Sequence, residues 1–193
     1  MRRLAVFCGS NPGARPEYVE AARSLGRLLA ERGIGLVYGG SNVGLMAALA
    51  DAMLDDLGDI IGVIPRMLVE REVANTALTD LRIVETMHER KAVMAALADG
   101  FVGLPGGIGT LEEFFETWTW GQLGMHTKPC ALLNVAGYFD PLLAFLDRAV
   151  EERFVRDVHR AMVIVESDAT KLLSRLESYD PPRVVKWINA GTI

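Results

Sequence analysis

Short apolar runs alternate with longer segments of helical spacing along most of this chain. Leu4–Cys8, Ile34–Tyr38, Ile60–Ile64, Leu81–Val84, Gly100–Val102, Cys130–Asn134 and Met162–Val165 have the length and composition of strands. Between them, Pro16–Glu31 places Tyr18, Val19, Ala22, Leu25, Leu28 and Leu29 at three- and four-residue spacing, and Gly33 follows. That spacing predicts a helix with a proline at its start and a glycine past its end. Val43–Leu54, a segment starting near Met87 and reaching Leu97, Phe114–Leu123, Pro141–Glu152 and Thr170–Leu176 read the same way. Arg66–Leu78 is mixed and charged, and predicts only a short helix and a loop. Strands apolar on both faces and separated by helices predict an α/β domain with a mainly parallel sheet flanked by helices. Seven such runs give a sheet of about seven strands. Pro181-Pro182 ends the pattern, so residues 1–180 read as one domain and 181–193 as a C-terminal tail. The chain shows no internal repeat and no second domain boundary.

Three of these strands run straight into glycine: Gly9-Ser10, Gly39-Gly40-Ser41 and Gly103-Leu104-Pro105-Gly106-Gly107-Ile108-Gly109-Thr110. In a parallel sheet such turns collect at the carboxyl edge, where open α/β folds bind ligands. The third is the most informative. A strand, a glycine turn and a helix start in succession make an anion site, because the first N–H groups of a helix have no internal partner and its dipole favours negative charge. Thr110 is expected to cap that helix, with Glu113 at capping-box spacing. The pattern is neither a Gly-Lys-Ser/Thr loop nor a clean G-x-G-x-x-G. It points to a phosphate or nucleotide near Gly106–Thr110. Ser10, Ser41 and Asn42 are candidate hydrogen-bonding groups at the same edge.

The remaining composition mostly excludes. A net charge of −5 with scattered basic residues gives no footprint for nucleic acid. No apolar run reaches the roughly 18–20 residues of a membrane span. Arg2-Arg3 before Leu4–Cys8 imitates a signal peptide, but Gly9-Ser10-Asn11-Pro12-Gly13 interrupts it too soon. The cytoplasm is the expected location. Cys8 and Cys130 lie in apolar stretches and read as reduced, buried thiols. His88, His126 and His159 have no ligand spacing, so no metal site is expected.

Pro105–Glu113, with the pattern Pro-Gly-Gly-x-Gly-Thr-x-x-Glu, and Met87-His88-Glu89-Arg90-Lys91 ahead of it resemble the LOG family. These are the cytokinin riboside 5′-monophosphate phosphoribohydrolases, often labelled lysine decarboxylases. Phe7–Ser10 and Tyr38–Met46 are similar to the family's other glycine segments, and the resemblance runs from about Leu4 to Glu177. The chain departs from the family's pattern at Asn75, where many members have a histidine, and at Ala47, where glycine is commoner.

The resemblance implies a Rossmann-like fold and hydrolysis of the N-glycosidic bond of N6-modified adenosine 5′-monophosphates, with no cofactor. Arg90 and Glu113 are the implied catalytic residues. A carboxylate at Glu113 would stabilise an oxocarbenium-like state or orient water. Arg90, which does not readily give up a proton, would stabilise and orient the leaving base. Ser10, Gly40, Glu72, Met87, Lys91, Gly106, Gly107, Gly109 and Thr110 are the implied substrate contacts, Lys91 on the phosphate or ribose. His88 reads as structural, and Glu112 as solvated. Trp118, Trp120 and Met125 read as core or dimer interface, and the resemblance implies a homodimer. The alternatives are an AMP nucleosidase, a nucleotide-binding module without turnover, and a pyridoxal-phosphate decarboxylase, for which no recognisable Schiff-base lysine is present.

Overall fold

The computed structural model describes residues 1–69 and 74–182. Seven strands form one all-parallel sheet: β1 (Arg3–Phe7), β2 (Gly35–Tyr38), β3 (Ile60–Pro65), β4 (Asp80–Val84), β5 (Gly100–Gly103), β6 (Cys130–Leu133) and β7 (Val163–Glu166). Their spatial order is β4-β3-β2-β1-β5-β6-β7. The chain therefore builds outward from β1 to β4, crosses back, and builds outward again from β5. Ligand crevices of open α/β sheets form at such a reversal, here between the carboxyl ends of β1 and β5.

Side-chain alternation explains why both faces need cover. Leu4 and Val6 on β1, Leu36 and Tyr38 on β2 and Ala131 and Leu133 on β6 join one buried cluster. Ala5 and Phe7, Val37, and Cys130 and Leu132 join the other. The first face is covered by α1 (Pro16–Glu31), α2 (Gly44–Asp55) and α8 (Ala169–Glu177), which contribute Leu25, Leu49 and Leu173. The second is covered by α4 (Met87–Leu97), α5 (Ile108–Gln122) and α6 (Asp140–Glu151), which contribute Met94, Phe114 and Leu146. The short α3 (Arg66–Val69) follows β3 at once.

Two elements differ from the sequence pattern. Strand β4 is not buried throughout: it is an edge strand whose Arg82 and Ile83 are exposed, with Arg82 paired to Asp80. A four-residue helix, α7 (Asp157–Arg160), lies before β7 where no helix was expected. One turn is too short to show a helical period. Cys8 and Cys130 are both free and buried. Among the described residues, no helix is long and apolar enough to cross a membrane.

Candidate active site

Helix α5 starts earlier than its local sequence suggests. Thr110 is not its cap: Gly107 is, without a side-chain hydrogen bond, and the helix begins at Ile108. The first bond back along the helix runs from Leu111 N–H to the Gly107 carbonyl, 3.1 Å. The N–H groups of Ile108, Gly109 and Thr110 thus have no partner within the helix. Thr-x-x-Glu imitates a capping box here, but the glycine backbone brings the chain into the helix one turn sooner. No side chain caps the first N–H groups of α5, and a helix start of this kind favours an anion.

The preceding turn is held against the end of β1. Gly9 N–H donates to the Pro105 carbonyl, 3.0 Å, and Leu104 N–H to the Phe7 carbonyl, 2.9 Å. A Cβ on Gly106 would lie 2.2 Å from Thr110 Oγ1 and 2.8 Å from Gly9 N, so only glycine allows this approach. The Tyr138 hydroxyl donates to the Gly106 carbonyl at 2.6 Å.

Above this turn a cavity of about 300 Å³ opens between the ends of β1 and β2 and the first turns of α4 and α5. Ser10, Gly107, Gly109 and Thr110 line it on the side of the turn. Arg90 and Glu113 line its inner wall, and Met87 also faces it. Gly106 instead lines a neighbouring cavity of about 230 Å³ that shares Ser10 and Gly107 with the first.

Arg90 and Glu113 form a buried ion pair, NH1 to Oε1 3.2 Å, with side chains 10% and 11% exposed. The other guanidinium nitrogens are also used. Arg90 Nε donates to the Val63 carbonyl, 3.0 Å, and NH2 to the Gly39 carbonyl, 3.2 Å. Arg90 is thereby fixed by β3, the end of β2 and α5 together, and its plane cannot turn freely. Burial pushes the Glu113 carboxyl above the ordinary glutamate range, and Arg90 only partly offsets it. Such a displaced carboxylate in a cleft is where acid–base or electrostatic catalysis is found.

The other expected contacts fall out differently. Lys91 does not line the cavity; its ammonium pairs with Glu112 and with Glu116, the latter at 3.0 Å. Glu112, expected in solvent, is half exposed, holds Lys91 and borders the cavity. Gly40 lies away from the cavity with φ +73, packed on Ile64 and Leu81, while its neighbour Gly39 lines it. Ser41 is buried, its hydroxyl without a hydrogen-bond partner among the described residues, and Asn42 is exposed; neither lines the cavity. Glu72 lies outside the described residues. Asn75 is structural, donating from Nδ2 to the Tyr38 hydroxyl at 3.3 Å and accepting from Ala77 N–H at 3.2 Å. His88 is exposed, and Trp118 is core, donating to the His159 carbonyl at 3.0 Å.

Sequence reasoning did not assign Cys8, Met46, Leu68 and Met94 to the site, and all four line the cavity. The last three give it an apolar wall. Cys8 is no nucleophile: burial first, then the charge of Glu113, push its thiol far up. No lysine is among the described residues that line the cavity.

Gly39 gives a direct test of the Arg90 seat. A Cβ there would stand 2.1 Å from Arg90 NH2 and 2.8 Å from the Met46 sulfur. Gly39→Ala should leave the fold intact and displace the guanidinium, with any cavity-dependent turnover falling about tenfold to a hundredfold. Unchanged kinetics in the folded variant would show that the Arg90 position is not critical.

The chain is similar to several known proteins. A family model described as "Possible lysine decarboxylase" matches residues 46–176. A rice (Oryza sativa subsp. japonica) protein named cytokinin riboside 5′-monophosphate phosphoribohydrolase is 49% identical over 93% of this chain and 74% of its own. An Arabidopsis thaliana protein of the same name is 47% identical over 93% of this chain and 83% of its own. Among solved structures, a molybdenum cofactor binding protein from Rippkaea orientalis shares the fold, with a TM-score of 0.69 at 22% identity, covering 92% of this chain and 96% of that one. Matched so closely by the rice and Arabidopsis enzymes over nearly its whole length, the chain belongs to the LOG family.

Proposed function

We propose that this protein hydrolyses the N-glycosidic bond of N6-modified adenosine 5′-monophosphates, releasing the free base and ribose 5-phosphate. One observation carries the reading: the buried Arg90–Glu113 pair lines the same cavity as the uncapped start of α5. The free N–H groups at Ile108–Thr110 receive the 5′-phosphate, with Ser10 beside them. This anchors the ribose toward Glu113, which lies five residues, about 7.5 Å, further along the helix. The Glu113 carboxylate stabilises positive charge at C1′ and orients the attacking water. As the water oxygen bonds to C1′, the C1′–N bond breaks with its electron pair going to the base. One water proton ends on the base and the other hydroxyl hydrogen stays on the sugar. Arg90 orients the leaving base and offsets charge on it. Met46, Leu68 and Met94 offer apolar surface to the base and its N6 group, and the same pocket admits plain AMP with fewer contacts.

We place the protein in the cytoplasm as a homodimer. Ile108, Leu123 and Met125, exposed at the two ends of α5, support a partner surface there.

Chromatography of the free base tests the activity, with N6-isopentenyladenosine 5′-monophosphate and its nucleoside offered to one preparation. A helix N-terminus contributes about 0.3–2 kcal/mol toward an anion. Each charge-assisted hydrogen bond adds about 1.5–3 kcal/mol. Loss of two such contacts should lower kcat/KM for the nucleoside by at least about a hundredfold. Near-equal values would remove the phosphate from the α5 start and move the enzyme toward nucleoside hydrolysis. Saturable binding with no base released would leave a binding module.

A further inference from the structure

We infer that Lys91 is a positioning residue: by pairing with Glu112 and Glu116 it holds the second turn of α5 against α4 and so sets the Arg90–Glu113 contact. The kinetic part of this inference rests on the phosphoribohydrolase reading above.

Two adjacent cations on α4 meet three carboxylates on α5 in two parallel contacts. Arg90 takes Glu113 on the cavity side; Lys91 takes Glu112 and Glu116. Consecutive helical residues point about 100° apart, so the two cations cannot both face the same space. Arg90 lines the cavity and Lys91 does not. The Lys91 side chain is 6% exposed; its ammonium donates to Glu112 and forms an ion pair with Glu116 Oε2 at 3.0 Å. Burial would pull its proton off, but the bonds to Glu112 and Glu116 outweigh that and leave the ammonium more firmly protonated than an ordinary lysine. To reach a phosphate it would have to abandon both partners, leaving Glu116, itself only 26% exposed, without its cation.

The consequence falls on Glu113. The charged and titratable groups that act on it are Arg90 and Lys91 from α4, Glu112 and Glu116 from its own helix, and the Cys8 thiol just past the end of β1. Glu112 and Glu116 push its proton on, while Arg90 and Lys91 pull it off. Without Lys91, three carboxylates share one cation. Glu113 is then held further toward its neutral form, and the turn that carries it loses its outer tether.

The experiment compares Lys91→Met, the double variant Glu112→Gln/Glu116→Gln, and the triple combination with wild type. Two readouts are taken: kcat and KM across the acid range, and the titration of Glu113 by carboxyl ¹³C NMR, assigned with Glu113→Gln. Lys91→Met should lower kcat about tenfold to a hundredfold, with little change in KM. Both the acid limb of kcat/KM and the Glu113 titration should move to higher pH. Adding Glu112→Gln and Glu116→Gln should bring the titration back toward wild type. A selective rise in KM for the monophosphate, with the Glu113 titration in place, would overturn the inference and make Lys91 a ligand contact. Should Lys91→Met fail to fold, the double variant decides: its Glu113 titration should move to lower pH, and an unmoved titration sinks the idea. If no preparation releases base, the proposed reaction fails on its own, and the NMR titration still tests Lys91.

Discussion

Glu113→Gln should keep nucleotide binding within a few-fold of wild type and lower kcat by on the order of 10²–10³. The amide retains the shape of the carboxylate and can still accept from Arg90 NH1, which lies 3.2 Å from Glu113 Oε1. What it loses is the charge facing C1′ and the ability to orient water as an acceptor on both oxygens. Because Thr110 rather than Glu113 occupies the first turn, and Gly107 caps the helix without either, Glu113 has no capping role to lose. A fall in activity from this variant therefore reports on chemistry and not on helix stability. The wild-type profile carries a matching signature. Burial raises the Glu113 carboxyl, so the acid limb of kcat/KM should lie above the ordinary glutamate value of 4.5. Turnover within a few-fold of wild type in folded Glu113→Gln would refute the assignment.

Arg90→Met should be the more damaging change, because it strikes stability and catalysis together. The guanidinium bridges the Val63 carbonyl, the Gly39 carbonyl and Glu113. Removing one member of a buried ion pair typically costs about 3–5 kcal/mol, since the remaining charge is left in a poor solvent. On that scale the urea midpoint falls clearly, and kcat falls at least about a hundredfold in what remains folded. The stability loss should depend on pH in a defined direction. Glu113 has a folded carboxyl raised above its unfolded value, so the folded state binds the proton more tightly. Its contribution is fully present below about the ordinary value of 4.5 and is lost as pH rises through the raised folded value. Without Arg90 that raised value climbs further, so acidification should recover part of the Arg90→Met deficit. Urea unfolding at several pH values checks this; a deficit that grows on acidification would contradict the buried-pair account. If only KM rises and kcat is untouched, Arg90 is a ground-state clamp.

How much could be read beforehand depended on how local the controlling interaction was. The helix Pro16–Glu31 was legible to the residue, because Pro16 at its start, Gly33 past its end and a periodic apolar stripe all act within the segment. The three glycine turns were legible for the same reason: backbone sterics restrict them wherever they fold. Thr110 was misread because a local capping signature competed with a turn shaped by a distant strand, through Gly9 and Pro105. Met46, Leu68 and Met94 could not be told from core residues, since an apolar side chain against a cavity and one against a neighbour have the same sequence pattern.

By itself the amino-acid sequence determined the alternation of strand and helix, the parallel sheet and the glycine turn that leads into α5, together with the motifs that mark the LOG family. These follow from side-chain periodicity and from backbone freedom at glycine, which act over a few residues. Only the tertiary structure decided the strand order and the reversal between β1 and β5. It also decided that adjacent Arg90 and Lys91 serve different spaces, one toward the cavity and one toward Glu112 and Glu116. That division depends on how α4 is rotated against the sheet and α5, and packing between elements far apart in the chain sets such a rotation.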